Sequence, residues 1–421
     1  MFPNSNYPAT GRRIRLVRTA AASTLLMLLV LLSTQLSQAQ SYTVIHNFAG
    51  QDGAYPFTGL TIDSTGRLYG TTFAGGNNRY GTVFSLAGST LTTLYNFADG
   101  TDGAGPIARV TFGPDGALYG STSAGGAGTC LAANGYRGCG TVYKLSPPRG
   151  PQPGLPAWNA TILFRFNETN GAYPQGQLTF DSSGNILGTA VNGGSWGWGL
   201  IYELSPSNGG WSQNILYQAR NDGDGQYPWG GITLDRSGNL YGVFTGGGPS
   251  GWGAVYKLER SGSGWEESTL HGFSFHGDDG AAPQSGLVMD NSGNLYGATV
   301  HMSNGGGTAY ELNPSGGGWN YDFVYGFSGG IDLGPYDNLV MDAAGNLYGT
   351  TFADGRYGYG NVFKLTRTSG GWSYQSLHDF TGGSDGGSPM CQLVFDASGN
   401  IYGTASAGGQ YHYGVIFKIT P

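Results

Sequence analysis

The sequence predicts an all-β protein: a seven-bladed β-propeller of four-stranded blades, its ring closed by the N-terminal strand completing the last blade. Three observations carry that prediction. A proline stands fourteen residues before the glycine of a Tyr-Gly-type step seven times, at Pro56/Gly70, Pro106/Gly120, Pro174/Gly188, Pro228/Gly242, Pro283/Gly297, Pro335/Gly349 and Pro389/Gly403. Of 421 residues 79 are Gly, aromatics reach 13% and charged residues only 11%, which suits short strands and tight turns and excludes a disordered polyelectrolyte. The ends are complementary. The last unit stops at its third strand, and the chain after residue 40 opens with a lone fourth strand.

Residues 1–39 read as a secretory signal peptide. Arg12, Arg13, Arg15 and Arg18 form a basic head, an apolar run follows from Thr19 to Leu36, and Ser37-Gln38-Ala39 offers small residues for cleavage. An uncleaved anchor is the alternative, because the apolar run could just span a bilayer. No cysteine lies near residue 40, which argues against a lipoprotein, and no later stretch is long and apolar enough to cross a membrane. Residues 40–421 are then one propeller domain, with a disulfide-permissive address in the periplasm or outside the cell.

Each unit runs roughly 55 residues and divides into four strands. Strand A is of the type Leu60-Thr61-Ile62 and strand B of the type Leu68-Tyr69-Gly70-Thr71-Thr72. Between them, seven residues after each proline, stands Asp63, Gly113, Asp181, Asp235, Asp290, Asp342 or Asp396, usually within Asp-x-x-Gly-Asn, a tight-turn sequence. A Gly-rich loop leads to strand C, as in Thr82-Val83-Phe84-Ser85-Leu86, and strand D ends in an aromatic segment such as Leu94-Tyr95-Asn96-Phe97. The first strand, Tyr42 to Phe48, pairs with the last, Val415 to Ile419, and removes two open edges.

These units, for example Asp290-Asn291-Ser292-Gly293-Asn294-Leu295-Tyr296-Gly297 followed by a Gly-rich loop and Gly-Thr-Val-Phe/Tyr, resemble the GloVer-type (choice-of-anchor) tandem-repeat proteins of bacteria. The likeness covers residues 41–420. It implies an exported repeat protein, and it brings no catalytic residues with it. Family members often carry a C-terminal sorting anchor; this chain ends at Pro421 directly after the last strand, so release is the expectation.

In a propeller the D–A and B–C loops share one face. Here the D–A loops carry Asp52, Asp102, Asp224, Asp279 and Asp385, with Asn170 and a shifted Asp332 in the other two. The B–C loops carry Tyr80, Tyr136, Trp196, Trp198, Trp252, Tyr357, Tyr359, Tyr411 and Tyr413. Carboxylates beside flat rings suit an extracellular glycan or protein ligand. The plainer expectation is that each Asp caps its own turn and each ring covers the next blade.

His46, His271 and His378 fall in the strand-D slot that holds Tyr95, Phe164, Tyr217 and Tyr325 elsewhere, and read as packing substitutes. His276, Asp279 and His301, with Asp278 nearby, are the one weak candidate for a metal ion. The strand-A slots carry neither charge nor His in any blade. Asp-x-x-Gly-Asn lacks the further carboxylates of a calcium loop. No nucleophile elbow, zinc-protease motif or phosphate loop occurs in supporting context, and no cofactor is expected. A net charge of −7 without a basic run after residue 18 argues against nucleic acid as the main partner. No membrane partner is expected once the signal segment is cleaved, and the ring reads as a monomer.

Cys130 and Cys139 lie in a B–C loop twice the usual length and predict a disulfide; Cys391 reads as a lone buried thiol. The reading favoured is a secreted, non-catalytic binding or scaffold propeller. An extracellular polysaccharide lyase or hydrolase would need one asymmetric close pair of loop carboxylates. A purely structural cell-envelope protein is the third reading.

Overall fold

The repeat marked by the prolines and glycines becomes, in a computed structural model, seven four-stranded antiparallel sheets arranged as a seven-bladed propeller. Residues 40–132, 135–148, 158–275, 278–303, 305–330 and 334–421 are described. The signal-peptide reading falls on residues 1–39, outside them. Blade 1 runs Thr61–Ile62, Leu68–Thr72, Thr82–Ala87 and Thr90–Asn96 as strands A to D. In blade 7, Val394–Phe395, Ile401–Ala405 and Val415–Thr420 are joined by Ser41–Asn47 as strand D, so the predicted closure is present. Among the described residues no helix is long and apolar enough to cross a membrane.

Burial follows strand position. Strand B of blade 1, Leu-Tyr-Gly-Thr-Thr, is buried at every residue, because both its faces meet neighbouring blades. Strand D alternates exposed and covered residues, as in Gly210–Gln218, because its outer face meets solvent. In six blades the C–D ladder slips by one residue at the same place, and the extra residue is apolar each time: Leu94, Leu163, Leu216, Leu270, Val324 or Leu377. This bulge turns one more apolar side chain toward the core.

The invariant Gly of the Tyr-Gly step has a steric cause. The ring of strand C lies directly on it, so a Cβ at Gly70 or Gly349 would stand 2.6 Å from Cζ of Phe84 or Phe363. Tyr143, Tyr202, Tyr256 and Tyr310 cover Gly120, Gly188, Gly242 and Gly297 in the same way.

The invariant Pro belongs to the joints between blades. Pro106, Pro174, Pro228, Pro283 and Pro389 each pack on the glycine that precedes strand C of the blade before, and Pro56 packs on Gly414 across the closure. The residue ahead of the proline is left-handed even when it is not Gly, with φ of 57° at Tyr55, 55° at Tyr173, 60° at Tyr227, 52° at Ala282 and 51° at Ser388. That conformation is disfavoured for an L residue. It is held because each N–H donates to a carbonyl of the preceding blade: those of Tyr413, Cys139, Trp198, Trp252 and Tyr359 in turn.

One further hoop covers only part of the ring. Thr61, Thr111, Thr179 and Thr233 donate to the carbonyls of Val110, Leu178, Ile232 and Leu287 in the next blade. Val288, Val340 and Val394 fill that slot in the last three blades and have no hydroxyl to give.

Candidate functional site

The loop acids are used within their own blades. Asp102 accepts from the Tyr95 hydroxyl (2.8 Å) and the Ala98 N–H, and Asp224 from the Tyr217 hydroxyl (2.7 Å) and the Arg220 N–H. Asp52, Asp279 and Asp385 make the same clamp to His46 (2.8 Å), His271 (3.0 Å) and His378 (3.1 Å). The strand-D histidines therefore replace a tyrosine hydroxyl as well as its ring. Burial raises the Asp52 pKa, but the bonds from His46 and the Ala49 N–H outweigh it and hold the carboxyl below its ordinary value. Burial drives His271 and His378 below the usual imidazole range despite their carboxylate partners.

The Asp of the A–B turn is likewise internal. Asp235 Oδ1 accepts the Ser237 and Asn239 N–H groups, and Oδ2 accepts Asn239 Nδ2 and the Tyr241 hydroxyl. Where the second repeat has Gly113, Asp115 takes over, accepting from Ala117 N–H and Tyr119 and pairing with Lys144.

The B–C loop rings divide into two rows. Tyr80, Trp198, Trp252, Tyr359 and Tyr413 each precede the glycine at a blade joint, and their carbonyls bind the next blade. Trp196, Tyr357 and Tyr411 stand two residues earlier in the chain and are exposed, as are Trp252, Tyr359 and Tyr413 of the first row; Trp196 is the most exposed of them at 59%. Tyr136 packs against Tyr80 and Phe73, with ring centroids 5.3 and 5.8 Å away. From Phe73 the rings continue to Phe57, at the cavity, and back out through Tyr55 to Tyr413. Blades 7, 1 and 2 thus form one aromatic ramp.

The ramp leads into a cavity of about 510 Å³. Its wall is built by the residue immediately after each repeat proline: Phe57, Ile107, Gln175, Trp229, Gln284, Tyr336 and Met390, one from every blade. Behind them come Arg109, Gln177, Asp337, Asn338 and Gln392, and the mouth is edged by Leu131 and Ala132 of the long blade-2 loop. Cys130 and Cys139 are disulfide-bonded, as expected, and tie that loop; Cys391 is free and buried, its thiol pushed up to about 12 chiefly by burial.

The sequence reading put strand A, with neither charge nor His, along the central channel, and this needs correction: Leu60, Val110, Leu339 and Leu393 at its start are fully buried. The cavity is lined by the three residues before it, and those include Arg109 and Asp337. Arg109 Nη1 donates to Gln392 Oε1 (2.8 Å), and its Nε is buried without a partner. Asp337 accepts the N–H groups of Asn338 and Gln392, both at 2.7 Å, and burial pushes its pKa up against those bonds and the Arg109 charge. One signal in the sequence marks these positions. The residue after the proline is Phe, Ile, Gln, Trp, Gln, Tyr and Met in the seven copies, a varied slot in an otherwise regular unit.

His276 lies outside the described residues, as does Asp332, and the His301 backbone pairs with Ala281. Among the described residues, the cluster that gathers three residues able to ligate a metal is Cys130, Cys139 and Glu168, and its sulfurs are spent in the disulfide.

The profile described as the Gloeobacter/Verrucomicrobia repeat matches residues 32–179, 128–340 and 300–421. No curated protein matches the chain. Among solved structures, one described as the extracellular domain of a one-component system from B. thetaiotaomicron is similar at 11% identity and a TM-score of 0.55, over 89% of this chain and 39% of that one. A Bacteroides uniformis protein described as a 6-phosphogluconolactonase gives 15%, 0.49, 77% and 84%. A Thermus thermophilus protein described as an oxidoreductase of glucose dehydrogenase type gives 14%, 0.44, 91% and 100%. The likeness with a TM-score above one half concerns the fold, and this chain spans less than half of that protein.

Proposed function

The chain belongs to the Gloeobacter/Verrucomicrobia repeat family, and from that premise we propose that it is an exported, non-catalytic binding propeller taking a small polar ligand into its axial cavity. The ligand class is a glycan unit or a peptide end, something with both a flat apolar face and many hydrogen-bonding groups. The observation that supports this most is the cavity wall. Seven equivalent slots carry seven independent choices, with Phe57, Trp229 and Tyr336 for stacking and Gln175 and Gln284 for hydroxyl or amide groups. A volume of about 510 Å³ suits a compact ligand and not a polymer lying along the face.

The loop acids support the binding reading over the hydrolytic one. Asp52, Asp102, Asp224, Asp279 and Asp385 occupy equivalent places, each bonded inside its own blade, which is the opposite of a single close catalytic pair. The test is a glycan and peptide array on residues 40–421, followed by calorimetry on the hits with Trp229→Ala. Loss of affinity with an unchanged melting temperature is the expected result. A hit that survives Trp229→Ala but fails with Trp196→Ala would move the site outward to the loop tips.

A further inference from the structure

Arg109 is the cation of the cavity wall, and it is under-used. A guanidinium has five N–H donors in a rigid fork. Here Nη1 is bonded to Gln392 Oε1, Nε meets no acceptor, and no described carboxylate forms an ion pair with it. Asp337, the other charge on the wall, acts on it only through space. Both its oxygens are taken by backbone N–H groups, of Asn338 and of Gln392. The charge of Asp337 therefore balances Arg109 at a distance without filling the fork.

The fork is also held in position. Gln392 belongs to blade 7 and Arg109 to blade 2, so their bond spans blade 1. Blade 1 has Gly59 in the same repeat slot, and a Cβ there would stand 3.0 Å from Gln392 Cβ. The missing side chain lets Arg109 reach across. Asp337 fixes the Gln392 backbone, and Gln392 fixes the guanidinium, so the donors are oriented before any ligand arrives.

Other wall groups narrow the class. Gln177 commits its Nε2 to Thr111 and Asn338 its Oδ1 to the Gly286 N–H, leaving the other half of each amide open. Gln175 Oε1 has no partner. Half-open amides, a fork and nearby rings together match a hydroxylated ring bearing a planar two-oxygen anion.

We infer that the axial cavity is a sugar-acid site, in which Arg109 receives the carboxylate of a hexuronate while its ring stacks on an aromatic wall residue such as Trp229. This inference rests on the cavity reading and deepens it. The same chemistry is met by a free uronate and by the terminal uronate of a longer glycan. A carboxylate is preferred to a phosphate, because a single negative charge matches one open fork beside a retained Asp337.

The experiment is calorimetric titration of residues 40–421 with glucuronate, galacturonate, their methyl esters, glucose, galactose, glucose 6-phosphate and a galacturonate trimer. At least one uronate is expected to bind about tenfold or more tighter than its ester and its neutral sugar. Arg109→Met should erase that preference, and Arg109→Lys, which keeps the charge and loses the fork, should retain only part of it. Trp229→Ala should weaken acid and neutral sugar alike. Comparable binding of monomer and trimer marks a terminal unit as an acceptable source, and monomer alone marks the free acid; either supports the inference. Equal affinity for acid and ester, a preference that persists in a folded Arg109→Met, or tighter binding of glucose 6-phosphate overturns it. Absence of binding by every one of these sugars also overturns it, and an array hit lost in Trp229→Ala would then leave the cavity reading intact.

Discussion

The outer loop row and the inner wall use the same repeat in opposite ways. In the outer row one residue type recurs in blade after blade, and its bonds stay at home: Asp102 to Tyr95, Asp224 to Tyr217, Asp385 to His378. On the inner wall the slot after each proline never settles on one type, and the side chains face shared space. Arg109, Asp337 and Gln392 go further and bond across blades. Repetition marks the work of holding a blade together, which every blade must do alike. Variation within a fixed register marks a surface relieved of that work, where each side chain can be chosen for something else.

The sharpest way to break the comparison is to remove what every blade shares. Deleting residues 41–48 leaves blade 7 without strand D and takes away Phe48, whose N–H bonds the Gly414 carbonyl. The whole ring should lose stability, with a melting-temperature fall of more than about 10 °C in a single transition. A second transition confined to one blade would show that the blades are independent.

Next in size is Gly242→Ala. Its Cβ would drive into the Tyr256 ring, in a strand buried on both faces, and should cost about 2–3 kcal/mol in denaturant unfolding. The same change at Gly238, which has open space around it, tests strain alone, since its φ is 83°.

The two tryptophans of one loop separate the rows. Trp198 packs on Tyr227 and its carbonyl binds the Tyr227 N–H, whereas Trp196 is 59% exposed. Trp198→Ala should cost about 1–2 kcal/mol of stability and Trp196→Ala less than about 0.5. If Trp196→Ala instead abolishes ligand binding, the tips and not the wall are the site.

The smallest effects are pH-dependent and of opposite sign. Opposite the fifth strand-C residue, Gln213 donates to the Asn170 carbonyl and Tyr321 to the Asp279 carbonyl. Blade 4 has Glu267 in that slot, its pKa raised to about 7 by burial, despite a Thr269 bond, with Asp224 and Asp222 adding to the rise. A carboxyl raised on folding stabilises fully below its unfolded value, and that contribution fades as pH climbs through about 7. Glu267→Gln should therefore stabilise the protein at pH 8 more than at pH 5, by about 1 kcal/mol after solvent screening. His271 runs the other way. Its folded pKa is depressed, so its neutral form stabilises above the unfolded value near 6.5 and is lost on acidification. His271→Tyr should flatten the stability curve below about pH 6.5. Parallel melting curves for either variant and the parent would refute the assignment.

Much of the fold was legible because strict spacing has few causes. Pro56/Gly70 and its six copies mark a blade joint and a ring-covered strand, and both constraints act within one unit or on its neighbour. The turn Asp was legible for the same reason, but Asp115 standing in for Gly113 was not, because it sits two residues out of the repeat's register. The strand-D histidines were placed correctly in the register. Their bonds to Asp52, Asp279 and Asp385 were not read, because the partner lies six to eight residues away around a loop of irregular shape.

The sequence by itself determined the blade count, the closing strand and the Cys130–Cys139 pair, since each follows from local spacing or from pairing the two ends. Only the tertiary structure decided what the axis contains. Arg109, Gln392 and Asp337 stand far apart in the chain, and nothing local links them. They meet because seven blades turn the same three-residue segment toward one line, so that positions scattered along the sequence become neighbours around a ring. Closure creates that proximity, and a linear repeat cannot announce it.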